Sequence, residues 1–449
     1  MPVKPFIPIL FLLALVGFSA CHSVREQRVD AAAGDPDVAL LSEYEAHIRG
    51  VAERADVRRA FEVIETLEPR TQEDLVMLTE IPAPPFMEER RAATYAEMLR
   101  EAGADSVWID AEGNVLALRR GQADGRVVAM GAHLDTVFPE GTDVTVHTRG
   151  DTLFAPGIGD DTRGLILVLT VLRALEAANV QTKADLLFIG TVGEEGLGDL
   201  RGVKYLFGEN GPRIDAWIAV DGGGQGRITH QALGSHRYRV IFKGPGGHSW
   251  GAFGMGNPHH ALGRAIHYFV EAADPFTAEG PRTSYNVGRI GGGTSVNSIP
   301  FEAWMEVDMR SVSPERLEAI DALFQEAMRR ALDDQNRLRR GGPALTLQVE
   351  MVGDRPSGAI AVETPLVQRA IATVRHFGAE PTLGTGSTDS NIPISLGIPS
   401  VTIGRGGAGG SGHSLGEWWL NKGGHLAIQQ ALTLLVAEAG LASSTDANH

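Results

Sequence analysis

The residues able to do chemistry in this chain are carboxylates and imidazoles, and most of them follow a short apolar run. His133 and Asp135 stand in G-A-H-L-D-T-V, after Arg126-Val-Val-Ala-Met130. Asp160 and Asp161 stand in P-G-I-G-D-D-T, and Glu194 and Glu195 in T-V-G-E-E-G, after Asp185-Leu-Leu-Phe-Ile189. Asp221 ends Trp217-Ile-Ala-Val220, and His413 stands in G-G-S-G-H-S after Val401-Thr-Ile403. Open α/β sheets bind ligands in the crevice beyond the carboxyl ends of their strands, so clusters at these positions converge on one crevice. Imidazole nitrogen with carboxylate oxygen, and no thiolate, is the donor set of a hydrolytic zinc, cobalt or manganese site. Asp135, two residues past His133, is placed to orient that imidazole and raise its basicity. Adjacent side chains diverge at a strand end, so one glutamate of the pair can bind metal while the other faces a water; Glu194 is the candidate general base.

The elements that must position these groups fall into two sets. From about Thr71 to Gly222 strand-like runs alternate with helical ones, at Met87–Ala102, Thr162–Ala178 and Leu200–Gly208. The pattern resumes after Val362 with a helix to Phe377, a strand at Ser400–Gly404 and a helix at Gly424–Gly440. Such alternation predicts an α/β domain with a mostly parallel sheet flanked by helices, built discontinuously from residues 37–226 and 357–443. A capping box, Ser42-x-x-Glu45, predicts a helix ahead of it. The stretch 227–356 reads as β-α-β-β-α-β, an inserted ferredoxin-like α+β lid.

The order H-x-D, D-D, E-E, a lone Asp and a late His resembles the co-catalytic dinuclear zinc peptidase family of peptidase T, glutamate carboxypeptidase, aminoacylase and succinyl-diaminopimelate desuccinylase. The resemblance runs from about Leu75 to about Gly440. It implies two divalent ions, Zn2+ first with Co2+ or Mn2+ as alternatives. His133 and Asp221 would complete one site, Glu195 and His413 the other, and Asp160 would bridge them, with the Asp160–Asp161 peptide bond cis. His248 in G-P-G-G-H-S resembles the lid histidine that stabilises an oxyanion, often across a dimer interface. Asn297 in T-S-V-N-S and Arg310 in V-D-M-R resemble lid residues that grip the substrate, and Asp389 in G-S-T-D-S falls in a substrate-side loop. Thr162-Arg163 departs from the Lys-Gly of many relatives and alters the local helix-start contacts.

The balance of the chain narrows the function classes. A net charge of −16 over 449 residues argues against nucleic acid, which selects basic stripes. Lys4 precedes an apolar run from Phe6 to Ala20, too short to span a membrane, that ends at Cys21, the single cysteine. Small residues before a cysteine resemble a bacterial lipobox. That reading gives a signal peptide over 1–21, lipidation at Cys21, a tether over 22–36, and an exported protein held to the cell envelope by its lipid anchor alone. The expected activity is hydrolysis of small peptides by an exopeptidase, of di-/tripeptidase or aminopeptidase type. Carboxypeptidase or N-acyl-amino-acid amidohydrolase activity is the alternative, and a non-catalytic peptide-binding lipoprotein the reading from another class. A homodimer through the lid is the expected assembly.

Overall fold

The computed structural model describes residues 41–122 and 125–442. Cys21 and the segments 1–21 and 22–36, expected as signal peptide and tether, therefore lie outside the described residues, and no helix among those described is long and apolar enough to cross a membrane.

A large sheet runs through the larger domain in the order Ser106–Ile109, Val115–Arg119, Asp185–Thr191, Val127–His133, Ala216–Val220, Ser400–Ile403, Arg227–Ala232 and Gly358–Ala359. Its four central strands, from Asp185–Thr191 to Ser400–Ile403, are parallel. The flanking strands pair antiparallel, apart from Thr382–Gly386, which runs parallel to Arg227–Ala232, so a parallel centre sits within a mixed sheet flanked by helices. The cause is connection length. Ser106–Ile109 and Val115–Arg119 are joined by a tight turn in which the Asp110 carboxylate accepts the N–H groups of Glu112, Gly113 and Asn114. A turn that short permits only antiparallel pairing, whereas parallel strands need a crossover. Helices cover the central strands, and those strands are buried on both faces, as Val128–His133 shows. The helix Arg163–Ala177 is almost wholly interior.

At the amino end, three helices span Ser42–Glu53, Ala55–Thr66 and Glu68–Thr79. Ser42 does not cap the first: it lies inside the helix, Leu41 takes the cap position, and no side chain bonds there.

The lid carries strands Gly234–Lys243, Thr283–Gly292, Glu302–Ser311 and Thr346–Arg355 with helices Pro258–Thr277 and Pro314–Leu338. Its sheet is antiparallel throughout, in the order Thr283–Gly292, Glu302–Ser311, Gly234–Lys243, Thr346–Arg355. Both helices start on side-chain caps, from Asn257 and Ser313, each followed by proline at the first helical position. Phe242, Phe269, Phe324 and Met305 centre a hydrophobic core separate from that of the large sheet. One boundary moves. Residues 227–232, expected in the lid, pair with Ser400–Ile403 and Thr382–Gly386 in the large sheet, so the lid strands begin at Gly234.

Candidate metal centre

The parallel strands deliver the acidic and imidazole groups to one end of the sheet. His133 is the last residue of its strand, Glu194 and Glu195 follow Asp185–Thr191, and Asp221 follows Ala216–Val220. His413 comes from farther away, in the hairpin loop between the short strands Ala408–Gly410 and Trp418–Leu420, at a positive φ of 62°. Asp160 sits at the entry of the buried helix Arg163–Ala177, and its peptide bond to Asp161 is cis.

These residues converge. Three overlapping triads among the described residues bring ligand atoms within 4.8 Å of one another: His133, Asp160 and Asp221; His133, Glu194 and Glu195; Asp160, Glu195 and His413. Asp160 links the two ends, with Oδ1 3.2 Å from His133 Nε2 and Oδ2 3.2 Å from His413 Nε2. His413 Nε2 also lies 3.0 Å from Glu195 Oε1.

The electrostatics are those of carboxylates packed together. Burial, reinforced by Asp160, pushes Asp221 up to about 6, and burial drives Glu194 well above the ordinary carboxylate range despite Arg355. Burial opposes charge on Asp160 as well, but hydrogen bonds from His133 and His413 hold it well below that range. Hydrogen bonds to Asp160 and Glu195 carry His413 up to about 10. Burial would lower His133, yet the bond to Asp160 and its acidic neighbours raise it.

The donor set fits two divalent cations. Four carboxylates, Asp160, Asp221, Glu194 and Glu195, offer the negative charge that two dications neutralise, and the donors are nitrogen and oxygen only. His133 Nδ1 donates to the backbone carbonyl of Asp135 at 2.9 Å. That bond fixes the tautomer and leaves Nε2 as the ligand atom, the arrangement that metal-binding histidines require.

Asp135 does more than the sequence expectation. Its carboxylate, 3.8 Å from His133 Nδ1, helps raise that imidazole, and it also accepts the N–H groups of Glu194 (3.1 Å) and Glu195 (2.8 Å). The imidazole is oriented by the main chain of Asp135, and its carboxylate holds the turn that presents both glutamates. Asp389 stands in a turn, as its sequence context predicts, with its side chain buried. It is 4% exposed, its Oδ2 accepts from Thr191 Oγ1, and burial lifts its pKa to about 6, with His133, Asp135 and Asp221 close enough to act on its charge.

The lid residues are not gathered with the metal set. His248 is exposed and its Nδ1 accepts the N–H groups of Trp250 (3.2 Å) and Gly251 (3.4 Å) in its own loop. Asn297 Oδ1 accepts from Ser295 Oγ at 2.6 Å, and Arg310 Nε donates to Asp308 at 2.8 Å. The residues of the lid that do reach the centre are ones the sequence reading passed over. Arg355, the last residue of the final lid strand, donates from Nη1 to Glu194 Oε1 (3.0 Å) and Ser387 Oγ (3.0 Å), and from Nη2 to the Glu194 carbonyl. Arg237 donates to the Gly196 carbonyl at 2.7 Å, and the Asp354 N–H to Asp199 Oδ1 at 2.9 Å. The lid strands thus seat on the loop that carries the two glutamates. A charged residue directly before Pro356, where the chain leaves the lid, was the available signal for Arg355.

A two-metal donor set at the carboxyl end of a sheet, buried at His133 and Glu195 and open to solvent at His413, marks a metal-dependent amide-bond hydrolase. The chain belongs to peptidase family M20/M25/M40, whose profile matches residues 129–427. The uncharacterized protein YqjE of Bacillus subtilis is 28% identical over 304 residues, which cover 65% of this chain and 76% of that protein. Succinyl-diaminopimelate desuccinylase of Leptothrix cholodnii is 26% identical over 273 residues, 56% of this chain and 70% of that enzyme. Among solved structures, aminopeptidase PepT of Bacillus cereus shares the fold with a TM-score of 0.66 at 21% identity, over 83% of this chain and 99% of that one.

Proposed function

We propose that this enzyme is a dinuclear zinc exopeptidase that releases a terminal residue from di- or tripeptides. The observation that carries the reading is the position of Asp160 between His133 and His413, which divides one acidic cluster into two adjoining ligand sets. His133 and Asp221 would hold one ion, Glu195 and His413 the other, and Asp160 both. When bound, such a pair of ions would polarise the scissile carbonyl and make a water acidic enough to be deprotonated near neutral pH.

The chain's own groups do the rest. Glu194 accepts the proton of the attacking water and returns it to the departing amine. Asp135 holds the Glu194–Glu195 main chain, so both carboxylates keep their places. Arg355 holds one oxygen of Glu194 and leaves the carboxylate a second for the proton. His248, brought in by lid closure or from a partner subunit of a lid-mediated dimer, steadies the oxyanion. Asn297 and Arg310 grip the peptide main chain and its carboxylate, to which an arginine fork bonds bidentately.

Asp221 supports the peptidase T side of the family, whereas the likeness to a desuccinylase supports N-acyl-amino-acid cleavage as the second reading. The run from Phe6 to Cys21 supports export and lipid anchoring at the cell envelope. The test is to load the protein with Zn2+, Co2+ or Mn2+ and incubate it with di- and tripeptides, carboxypeptidase substrates and N-acyl amino acids, identifying products by mass spectrometry. Release of amino-terminal residues from short peptides is expected. Cleavage confined to acyl amino acids would move the assignment to the second reading, and no cleavage with metal bound would refute both.

A further inference from the structure

We propose that Glu417 is the positioning residue that assembles the two halves of the metal centre, by clamping the loop that carries Asp160 to the hairpin that carries His413. The inference rests on the dinuclear reading above and goes beyond its ligand set, because Glu417 itself touches no ligand side chain.

The carboxylate of Glu417 is 1% exposed and accepts three main-chain N–H groups from one loop. Oε2 takes that of Gly157 at 2.9 Å, and Oε1 takes those of Gly159 and Asp160, each at 2.8 Å. The main chain joins in, with the Ala155 N–H donating to the Glu417 carbonyl at 3.1 Å. On the other side, Glu417 closes the His413 loop, its N–H donating to the Ser414 carbonyl at 3.1 Å. The strand that follows, Trp418–Leu420, pairs with both Ala408–Gly410 and Thr152–Phe154. One buried anion therefore fixes the backbone of the bridging candidate relative to the histidine of the far site.

The fit of the loop around this carboxylate is close. A Cβ added at Gly159 would stand 2.9 Å from Arg405 Nη2 and 3.0 Å from Glu417 Oε1, so only glycine lets the loop lie against the clamp. Charge matters as well as shape. A carboxylate presents acceptors on both oxygens, whereas a glutamine would turn an NH2 group towards a main-chain N–H and leave that buried donor without a partner. Because Asp160 lies 3.2 Å from the Nε2 of each histidine, a shift of its main chain disturbs both ligand sets at once.

The test compares wild type, Glu417→Gln and Gly159→Ala as purified metal-free proteins. Co2+ and Zn2+ affinities are measured by chelator competition, and the visible absorption of bound Co2+ is recorded. Loss of a group that supports metal ligands typically costs ~10–100-fold in metal affinity, and Glu417→Gln should fall in that range, with an altered Co2+ spectrum. Gly159→Ala, which keeps the carboxylate but pushes the loop off it, should move affinity and spectrum in the same direction. Should Glu417→Gln fail to fold, Gly159→Ala decides the matter on the same readouts. Folded variants that bind two Co2+ ions within threefold of wild-type affinity and with the wild-type spectrum would overturn the role of Glu417. A wild type that binds fewer than two ions would instead overturn the dinuclear reading on which it stands.

Discussion

Replacing Glu194 by glutamine separates the two roles that adjacent glutamates play here. The side chains of Glu194 and Arg355 are 7% and 5% exposed, and they meet at 3.0 Å. A glutamine in that place would keep an oxygen for Arg355 but could not accept the proton of the attacking water. General-base catalysis typically contributes ~10²–10⁴-fold, or about 2.7–5.5 kcal/mol of barrier, so kcat should fall by at least ~10². Metal content should stay at two, since the donor atoms of the proposed ligands are untouched. Glu194→Ala is a different perturbation, because it leaves the Arg355 guanidinium buried beside no carboxylate. Breaking a buried pair on one side costs ~3–5 kcal/mol, and the alanine variant should lose stability as well as turnover. Steady-state turnover, metal analysis and denaturant unfolding on the same preparations make the comparison. A Glu194→Gln protein with both metals and full activity would refute general-base action. If it loses metal while Glu195→Gln keeps two ions and full activity, the roles of the pair are reversed.

Further outcomes follow from the same geometry. If Arg355 acts through Glu194, Arg355→Ala should lower kcat by ~10² in the wild-type background and have little effect in the Glu194→Gln background; equal losses in both would make it an independent substrate contact. Asp135→Asn presents an NH2 group to one of the two main-chain N–H groups it now accepts, and should weaken metal binding or activity ~10–100-fold, read by chelator competition and turnover. Metal binding should release protons at pH 7. Hydrogen bonds to Asp160 and Glu195 push His413 up to about 10, so at pH 7 it carries a proton that it must lose to become a ligand. Apparent affinity should therefore rise with pH from 7 towards 10, and calorimetry in buffers of different ionisation enthalpy should register the released protons. An affinity independent of pH over that interval would remove His413 from the ligand set.

What was legible in the sequence was the chemistry that local pattern fixes. His133, the Glu194–Glu195 pair and Asp221 could be placed at strand ends because short apolar runs precede them, and strand ends are where such sheets gather ligands. The lid was readable from its element order, helped by Asn257-Pro258 and Ser313-Pro314 marking helix starts. What escaped was set by partners remote in sequence. Arg355 and Glu194 are 161 residues apart, and no periodicity joins them. Glu417 bonds main-chain amides, which carry no residue signature, although it is the only acidic residue between Asp389 and Glu438. Asp389 does stand in a turn, as Gly-Ser-Thr-Asp-Ser suggests, but nothing in that run shows that its carboxylate is drawn inward to Thr191, 198 residues away. The strand Arg227–Ala232 was assigned to the lid because sequence cannot tell which sheet a strand joins; its partners, Gly358–Ala359, Thr382–Gly386 and Ser400–Ile403, all lie more than 120 residues later.

On the proposed reading, two metal ions would share Asp160. Anomalous diffraction from crystals grown with Zn2+, recorded on either side of the zinc absorption edge, tests it without reference to any substrate. Two peaks ~3.5–4 Å apart are expected, one beside His133 and Asp221 and the other beside Glu195 and His413, with Asp160 reaching both. A single peak, or two peaks with either histidine outside bonding distance, would contradict the account.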